Sequence, residues 1–248
     1  MPTERTNITN LQNDKKPTNP KLGVGVYIVI PAFNESLVIN SVIDEIKVAG
    51  YNNIIVIDDG SSDNTCGKAK EISGVTVLCH KLNRGKGAAA KTGIEAAKLL
   101  GADIIVTMDG DGQHDPVDIK KLIFPIINEN YDVVLGSRLK NPKGMPWYKI
   151  VHNKIANLIT WYLYGLWVTD SQSGFRAYSR KAADDIDTKG DRYEYESEVI
   201  REIYKHKLKY CEVPIQVRYT DYSMGKVQKQ GFVNGIKTFY KMIWRIIH

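Results

Sequence analysis

Asp109 and Asp111 are separated by one glycine and follow an apolar stretch of the chain. Two carboxylates at this spacing offer hard oxygen ligands side by side, which suits Mg²⁺ or Mn²⁺ shared with substrate phosphates. An EF-hand does not fit, because the twelfth position counted from Asp109 is Lys120 and not a glutamate. A turn rich in Asp and Gly has the same composition, so the pair alone leaves a metal site and a simple turn both open.

Two further polar segments follow apolar runs, at residues 31–35 and 58–63. In an open parallel sheet, ligands bind beyond the carboxyl ends of the strands, so we expect these segments and residues 109–115 to converge on one edge. Crowded carboxylates are costly unless a cation or hydrogen-bond donors offset their charge. Asp58 and Asp59 could accept hydrogen bonds from a uracil or guanine edge or from ribose hydroxyls, or could cap the next helix.

Basic residues supply the opposite charge. The glycine-flexed loop at residues 83–87 contains Lys86 and leads into a helix, where it could hold a diphosphate. The chain has neither the full Walker spacing nor a GxGxxG pattern after the first strand, which counts against a dinucleotide enzyme. Further cations, each alone typical of a solvated charge, could together bind a second anionic substrate: Arg138, Lys149, Arg218 and Lys226.

Apolar periodicity places these residues in an α/β fold. Short strands are predicted at residues 24–30, 53–57, 75–78, 103–108 and 132–135, with helices at 36–49, 64–73, 86–100 and 116–129. This alternation predicts a parallel sheet covered by helices on both faces. Later elements are expected at 148–165 (helix), 175–178 (strand), 195–206 (helix) and 208–217 (strand).

The composition indicates one globular domain. The chain has 248 residues and a net charge of +6, which allows nucleic acid, anionic lipid or phosphorylated substrates. We expect a flexible polar tail at 1–22, one domain at 23–230 and an amphipathic helix at 231–248. The three cysteines have no zinc-finger spacing, and their odd number argues against a disulfide framework and fits a reducing compartment.

No stretch of the sequence is long and apolar enough to span a bilayer. The longest uncharged run, at residues 155–169, has 15 residues, whereas a spanning helix needs about 20. The run contains Trp161, Tyr162, Tyr164 and Trp167, which suit either a membrane interface or the protein core, and both interpretations stay open. The basic, amphipathic helix at 231–248 also suits a membrane surface.

Six segments, taken in chain order, resemble the family-two glycosyltransferases of GT-A fold, and within them the polyprenyl (dolichyl) phosphate sugar transferases. The segments are IPAFNE at 30–35, VIDDGSSDNT at 56–65, NRGKGAA at 83–89, MDGDGQHDP at 108–116, GSR at 136–138 and DSQSGFR at 170–176. Any one of them is weak, whereas six in the family's order are specific. The resemblance implies a central, mostly parallel sheet flanked by helices, with amphipathic C-terminal helices.

The resemblance also implies roles for individual positions. Asp109, Asp111 and Gln113 match the divalent-metal motif, and Asp109 also lies against the nucleotide. Arg138 matches an arginine that meets the acceptor phosphate. Lys149 and Asn153 stand near positions where the family often has Arg and Ser. The nucleoside positions are Pro31, Phe33, Glu35, Ile57 and Asp59, and the basic residues of the mobile loop over the diphosphate are Arg218 and Lys226.

The implied reaction is inverting transfer of a sugar from a nucleotide-diphosphate sugar to dolichyl or polyprenyl phosphate, with Mg²⁺ or Mn²⁺. Residues 170–176 favour UDP-glucose or UDP-N-acetylglucosamine over GDP-mannose. Many relatives add transmembrane helices, whereas none is predicted in this sequence. We therefore expect peripheral attachment at the cytoplasmic face of a membrane or a separate membrane-protein partner. Glu194, Glu196 and Glu198 could assist, although such runs are typical of solvated or structural positions.

Two rival functions follow from the same residues. A soluble or polymeric acceptor is one, but the chain lacks the Q-x-x-R-W motif and the many membrane helices that often mark processive polysaccharide synthases. A basic nucleic-acid-binding module is the other. The acidic cluster at the expected ligand edge and the lack of an aromatic-basic recognition motif count against it, so no nucleic-acid partner is expected.

Overall fold

The computed structural model describes residues 23–142, 145, 147–192, 194–218 and 222. The predicted tail at 1–22, the predicted helix at 231–248 and Lys226 lie outside these residues. Within them, the strands are β1 (Val26–Ala32), β2 (Ile54–Asp58), β3 (Val75–Cys79), β4 (Ile104–Thr107), β5 (Val133–Ser137), β6 (Arg176–Ser179) and β7 (Tyr210–Pro214). The helices are α1 (Ile39–Val48), α2 (Thr65–Lys70), α3 (Lys86–Leu99), α4 (Ile119–Glu129), α5 (Trp147–Tyr164), α6 (Arg180–Asp185) and α7 (Glu194–Lys205).

The strands form one mixed sheet in the order β3-β2-β1-β4-β6-β5-β7. All neighbouring pairs are parallel except those of β6, which runs antiparallel to both β4 and β5. The prediction of a mostly parallel sheet is confirmed, and β6 is the exception that the apolar pattern did not reveal. Because β6 runs in the opposite direction, it begins at the edge where the parallel strands end.

Alternating side chains of the strands pack into two hydrophobic cores, one on each face of the sheet. Ile28 and Ile30 of β1 point to the face covered by α1 and α4, whereas Tyr27 and Val29 point to the face covered by α3, α6 and α7. This alternation is the two-residue period of a β-strand, and it explains why the strands are apolar on both sides. The helices on both faces confirm the predicted three-layer arrangement.

Small residues let α3 lie close to the sheet. A Cβ atom at Gly93 would come within 2.3 Å of Val29 Cγ1 and 2.5 Å of Ile57 Cδ1. No real Cβ contact is that short, so a glycine is required here for steric reasons. The close approach fixes the start of α3, and with it Lys86, relative to the ends of β1 and β2.

Helix α6 was not predicted. It has six residues, which is too short to show a helical period in the sequence. Its start is marked by Ser179, whose Oγ accepts a hydrogen bond from the main-chain N of Ala182 at 3.1 Å. A serine before a short polar stretch is a helix N-cap signal, so the residue that begins α6 was visible in the sequence.

Cys66 and Cys79 form a disulfide, so the argument from the odd number of cysteines against a disulfide framework fails for this pair. The parallel pairing of β2 and β3 places Cys79 opposite Asp58, and α2 begins a few residues after Asp58. The first turn of α2 therefore returns to the end of β3. This proximity depends on strand order, which an odd cysteine count cannot show. Cys211 is free, and the inference of a reducing compartment loses its basis.

We expect Cys66→Ser to lower the free energy of unfolding by about 3 kcal/mol under non-reducing conditions, the value for a loop of roughly this length. The cross-link joins residues separated by 13 positions. Chemical denaturation of the variant and of the parent chain, with and without a thiol reductant, measures the difference. Cys211→Ser is the matched control and should change little. Equal stability of Cys66→Ser and the parent chain without reductant would contradict the expectation.

Candidate active site

The sheet brings the predicted site residues to one edge. Asp59 follows β2, Asp109 follows β4 and Arg138 follows β5, all at the carboxyl ends of parallel strands. The segment 170–175 leads into the antiparallel β6 and therefore lies at the same edge. The convergence expected from the strand ends is confirmed, and the sixth family segment joins it.

The loop after β1 is tied to α2 and has one buried and one exposed side chain of interest. The main-chain N of Glu35 donates to Thr65 Oγ1 at 2.8 Å, which ties this loop to the start of α2. The carboxylate of Glu35 is buried and accepts a hydrogen bond from the hydroxyl of Tyr222 at 2.8 Å. Phe33 remains 43% exposed, so its ring is accessible for stacking on a base.

Asp59 holds the basic loop before α3. Its carboxylate accepts hydrogen bonds from the main-chain N of Gly85 at 2.7 Å and of Arg84 at 3.1 Å. Its Oδ1 also lies 2.8 Å from Nδ1 of His80. Asp59 is buried, so in the structure it positions the loop that precedes Lys86. Its role toward a nucleoside stays a prediction.

Two other predicted nucleoside residues have buried side chains. Ile57 is fully buried against Gly93 of α3, so its side chain belongs to the core and only its main chain is left for a nucleoside. Pro31 is also buried and lines a small cavity together with Lys86 and Asp109.

The metal motif forms a tight turn after β4. Gly112 has a φ of +75°, in the left-handed region, and Asp111 Oδ1 accepts a hydrogen bond from the main-chain N of Gln113 at 3.0 Å. Burial and the negative charges of Asp109 and Glu35 raise the pKa of Asp111 to about 6. A divalent cation would relieve this crowding of carboxylates, and the oxygen-bearing side chains of the motif fit Mg²⁺ or Mn²⁺.

Lys86 bridges two carboxylates at the start of α3. Its Nζ lies 2.7 Å from Asp109 Oδ1 and 3.0 Å from Glu196 Oε1. Burial disfavours the charged form of Lys86, but Asp109 and Glu196 outweigh it and raise the pKa of Lys86 above its usual range. Burial also disfavours the charged form of Asp109 and by itself would raise its pKa. The positive charges around it, Lys86 foremost, instead lower this pKa to about 2. Asp109 is therefore ionised at neutral pH.

Gly174 makes room for this ion pair. A Cβ atom at Gly174 would lie 2.6 Å from both Asp109 Oδ1 and Lys86 Nζ. The main-chain O of Gly174 accepts a hydrogen bond from Thr107 Oγ1 at 2.8 Å, which fixes the segment against the end of β4. The glycine in DSQSGFR thus has a steric reason: the segment must touch the charged pair directly.

Of the two interpretations of the glutamate run, solvated or structural, the solvated one is wrong. Glu194, Glu196 and Glu198 are all buried, in the first turns of α7. Glu198 accepts hydrogen bonds from two main-chain amides and is structural, whereas Glu196 reaches the site. The signal was present in the spacing, because Glu196 lies three and four positions before the buried Val199 and Ile200, on the same helix face.

Arg138 is held by a bidentate ion pair. Its Nε and Nη2 lie 2.7 Å from the two oxygens of Asp170, and its main-chain N donates to the same carboxylate at 2.9 Å. Asp170 has a side chain with no exposed surface. Its carboxylate therefore orients a guanidinium that remains partly exposed, and Arg138 is close enough to Asp109 to contribute to lowering the pKa of that carboxyl.

The other predicted acceptor residues lie on α5. Asn153 is 8% exposed and faces the protein. Lys149 belongs to the first turn of α5, and its side chain lies outside the described residues. The roles of both toward an acceptor phosphate stay predictions.

Arg218 lies beside the metal motif but points to other partners. Its main-chain N donates to the main-chain O of Gln113 at 2.8 Å. Its guanidinium pairs with Glu45 at 2.6 Å and with Asp115 at 3.1 Å, and is partly exposed. In this structure Arg218 therefore fixes the chain after β7 against the turn. Binding a diphosphate would require it to exchange these partners.

Helix α5 carries an exposed apolar face. This bears on whether the aromatic residues at 161–167 belong to the protein core or to a membrane interface. Tyr164 is buried, whereas Trp161, Tyr162 and Trp167 are 45%, 82% and 54% exposed, so the core interpretation is wrong for these three. The face continues along the helix through Trp147, Tyr148, Val151, Ile155 and Leu158, all about half exposed or more. Among the described residues, no helix has the length and apolarity to span a membrane.

Comparison with protein families places the chain among known enzymes. The family model described as "Glycosyl transferase family 2" matches residues 27–187. A UDP-N-acetylglucosamine–dolichyl-phosphate N-acetylglucosaminyltransferase of Methanococcus voltae is 42% identical over 239 residues, covering 88% of this chain and 94% of that protein. A polyprenol monophosphomannose synthase of Mycolicibacterium smegmatis is 30% identical over 169 residues, covering 64% of this chain and 63% of that protein.

A solved structure confirms the fold. The crystal structure of glucosyl-3-phosphoglycerate synthase from Mycobacterium tuberculosis, in complex with Mn²⁺, UDP-glucose and phosphoglyceric acid, superposes with a TM-score of 0.63. It is 24% identical and covers 84% of this chain and 79% of that chain. At this identity the likeness concerns the fold alone, and the predicted GT-A fold is confirmed.

Proposed function

The chain belongs to glycosyl transferase family 2, and on that premise we propose that it transfers a sugar from a nucleotide-diphosphate sugar to the phosphate of a polyprenyl or dolichyl lipid. The observation that carries the proposal is the meeting of two opposite charges at one sheet edge. Asp109 and Asp111 form an anionic subsite, and Arg138 forms a cationic one close to it. The relative from Methanococcus voltae supports UDP-N-acetylglucosamine as the donor.

The anionic subsite suits the donor. Asp109, Asp111 and Gln113 would hold Mg²⁺ or Mn²⁺, which when bound neutralises the negative charge that develops on a nucleoside-diphosphate leaving group. The exposed ring of Phe33 offers a stacking surface for the base. Arg218 and Lys226 are proposed to add positive charge over the diphosphate, Arg218 after leaving Glu45 and Asp115.

The cationic subsite suits the acceptor. A lipid phosphate is already an anionic nucleophile at neutral pH, so it needs orientation and no strong general base. Arg138, fixed by Asp170, presents a rigid guanidinium that suits phosphate oxygens. A phosphate oxygen forms a bond to the anomeric carbon while the bond to the diphosphate breaks, the diphosphate leaves with the electron pair, and the anomeric centre inverts.

The exposed face of α5 supports attachment to a membrane surface. Trp and Tyr favour the boundary between lipid and water, and the exposed Lys154 of α5 can meet anionic headgroups. The main-chain N of Ser171 donates to Asn157 Oδ1 of α5 at 2.8 Å, so α5 packs against the segment whose Asp170 holds Arg138. We place the chain peripherally, at the cytoplasmic face of a membrane, alone or with a separate membrane-protein partner.

The double variant Trp161→Ser, Tyr162→Ser is expected to bind anionic liposomes at least about tenfold more weakly, because each exposed ring contributes about 1 kcal/mol when it enters lipid. Flotation with vesicles that contain phosphatidylglycerol measures the bound fraction. Leu99→Ser is the control, since Leu99 is also a well-exposed apolar residue but ends α3 at the opposite edge of the sheet. Equal flotation of all three proteins would contradict this attachment.

A transfer assay tests the proposed reaction. Purified protein and a short polyprenyl phosphate are offered labelled UDP-N-acetylglucosamine, UDP-glucose and GDP-mannose separately, with Mn²⁺ or with EDTA. We expect chloroform-soluble label from UDP-N-acetylglucosamine and its loss in EDTA. Label from GDP-mannose alone would overturn the proposed donor, and no label from any donor would overturn the proposed acceptor.

A further inference from the structure

A small cavity lies beside the Lys86–Asp109 ion pair. Its volume of about 10 Å³ gives room for one water-sized group and not for a sugar ring. Its walls include Glu196 from α7, Arg176 at the start of β6 and Gly174. The cavity is therefore bounded by the residues that hold the metal motif in place.

Two charged side chains in its wall have an unused polar atom. Arg176 is 1% exposed, and its Nε and Nη2 donate to three main-chain carbonyls, but its buried Nη1 has no hydrogen-bond partner among the residues that the structure describes. Glu196 is 3% exposed, and its Oε1 pairs with Lys86, but its buried Oε2 has no partner in the described part of the chain. The hydroxyl of Tyr178, which also lines the cavity, is a third buried polar atom without a partner among the described residues. Buried polar atoms are almost always paired, so these groups left over at one cavity indicate a missing ligand group.

A hydroxyl group matches this pair of atoms. It can donate to a carboxylate oxygen such as Glu196 Oε2, and it can accept from a guanidinium nitrogen such as Arg176 Nη1. The sugar of the donor is bonded directly to the diphosphate, which the proposed function places at Asp109. The hydroxyls of this sugar are therefore the candidate groups, because ionised phosphate oxygens accept hydrogen bonds but cannot donate one.

We propose that this cavity receives one hydroxyl group of the donor sugar, and that Glu196 is a specificity-determining residue of the site. The inference rests on the proposed function, because it names what the same site recognises in its donor. The cavity is too small for an acetamido group, so it selects a hydroxyl and not the N-acetyl substituent. A site built to pair with a hydroxyl strongly rejects an analogue that lacks it.

Calorimetric titration without acceptor tests the proposal. UDP and UDP-N-acetylglucosamine are titrated, with Mn²⁺, into the parent chain, Glu196→Gln and the control Glu202→Gln. Glu202 lies on the same helix, but it pairs with Arg201 and Lys205 instead of site residues. We expect Glu196→Gln to weaken the binding of UDP-N-acetylglucosamine at least about tenfold and the binding of UDP less than about twofold. Glu202→Gln should change neither.

A second measurement needs no variant. Analogues of the UDP-sugar are titrated into the parent chain, each lacking a single hydroxyl of the sugar ring or of its hydroxymethyl group. One of these analogues should bind at least about tenfold more weakly than the complete UDP-sugar. Equal losses for UDP and the UDP-sugar in Glu196→Gln would overturn the proposal, because Glu196 would then act only through Lys86. Unchanged binding of both, or of every analogue, would mean that the cavity holds only water. A parent chain that binds no nucleotide sugar would instead overturn the proposed function.

Discussion

Asp111→Asn is expected to lower sugar transfer at least about 100-fold, since a metal at such a site contributes several kcal/mol to stabilising developing charge. Asp111 lies in the turn that offers oxygen ligands. Burial, together with the negative charge of Asp109, raises its pKa to about 6, and a divalent cation would relieve the repulsion between the two carboxylates. Asparagine has nearly the same shape but no charge. The variant should therefore fold normally and bind Mn²⁺ more weakly. Initial rates at saturating metal and Mn²⁺ titration in the presence of UDP measure the two effects.

Asp44→Asn serves as the matched control. Asp44 lies on the exposed face of α1, so the same chemical change there should alter neither rate nor metal binding. Thermal unfolding of both variants shows whether either has lost its structure. Full transfer activity of Asp111→Asn, or unchanged transfer of the parent chain in EDTA, would contradict a metal at this turn.

Arg138→Lys is expected to raise the KM for polyprenyl phosphate at least about tenfold while leaving the KM for the nucleotide sugar nearly unchanged. Lysine keeps the positive charge that the buried Asp170 needs, but it cannot pair with both oxygens of Asp170 and still present a fixed planar group to a phosphate. Steady-state kinetics with each substrate varied in turn separates the two constants.

Arg138→Ala should behave differently from Arg138→Lys. It leaves the carboxylate of Asp170 buried without its cation, so we expect a loss of about 3 kcal/mol in the free energy of unfolding as well. Arg180→Lys is the control, because Arg180 is exposed at the start of α6 and pairs with Asp184. Equal changes in both KM values of Arg138→Lys would contradict an acceptor-specific role.

Local patterns made most of the elements predictable. The strand ends at residues 58, 107 and 137 follow from apolar runs that stop at polar residues, and their convergence follows from the geometry of parallel sheets. The metal motif needed no long-range information, because Asp109 and Asp111 belong to one turn. The tail, the C-terminal helix and the role of Lys226 stay predictions.

Contacts between distant residues were not predictable in the same way. Lys86, Asp109 and Glu196 come from α3, the turn after β4 and α7, so their meeting depends on how three elements that are distant in sequence pack together. The Cys66–Cys79 disulfide depends likewise on β2 lying next to β3. Single-sequence patterns fix the period of each element but not the order of the strands, so they missed these pairings.

The most direct test of the proposed chemistry is to identify both products of one reaction. Labelled UDP-N-acetylglucosamine is incubated with the protein, Mn²⁺ and either polyprenyl phosphate or the corresponding polyprenol, and the lipid and the released nucleotide are analysed. The proposal predicts UDP and an acid-labile lipid monophosphate sugar, in equal amounts, with the phosphate acceptor only. Release of UMP, or equal transfer to the polyprenol, would contradict direct attack of a lipid phosphate on the sugar.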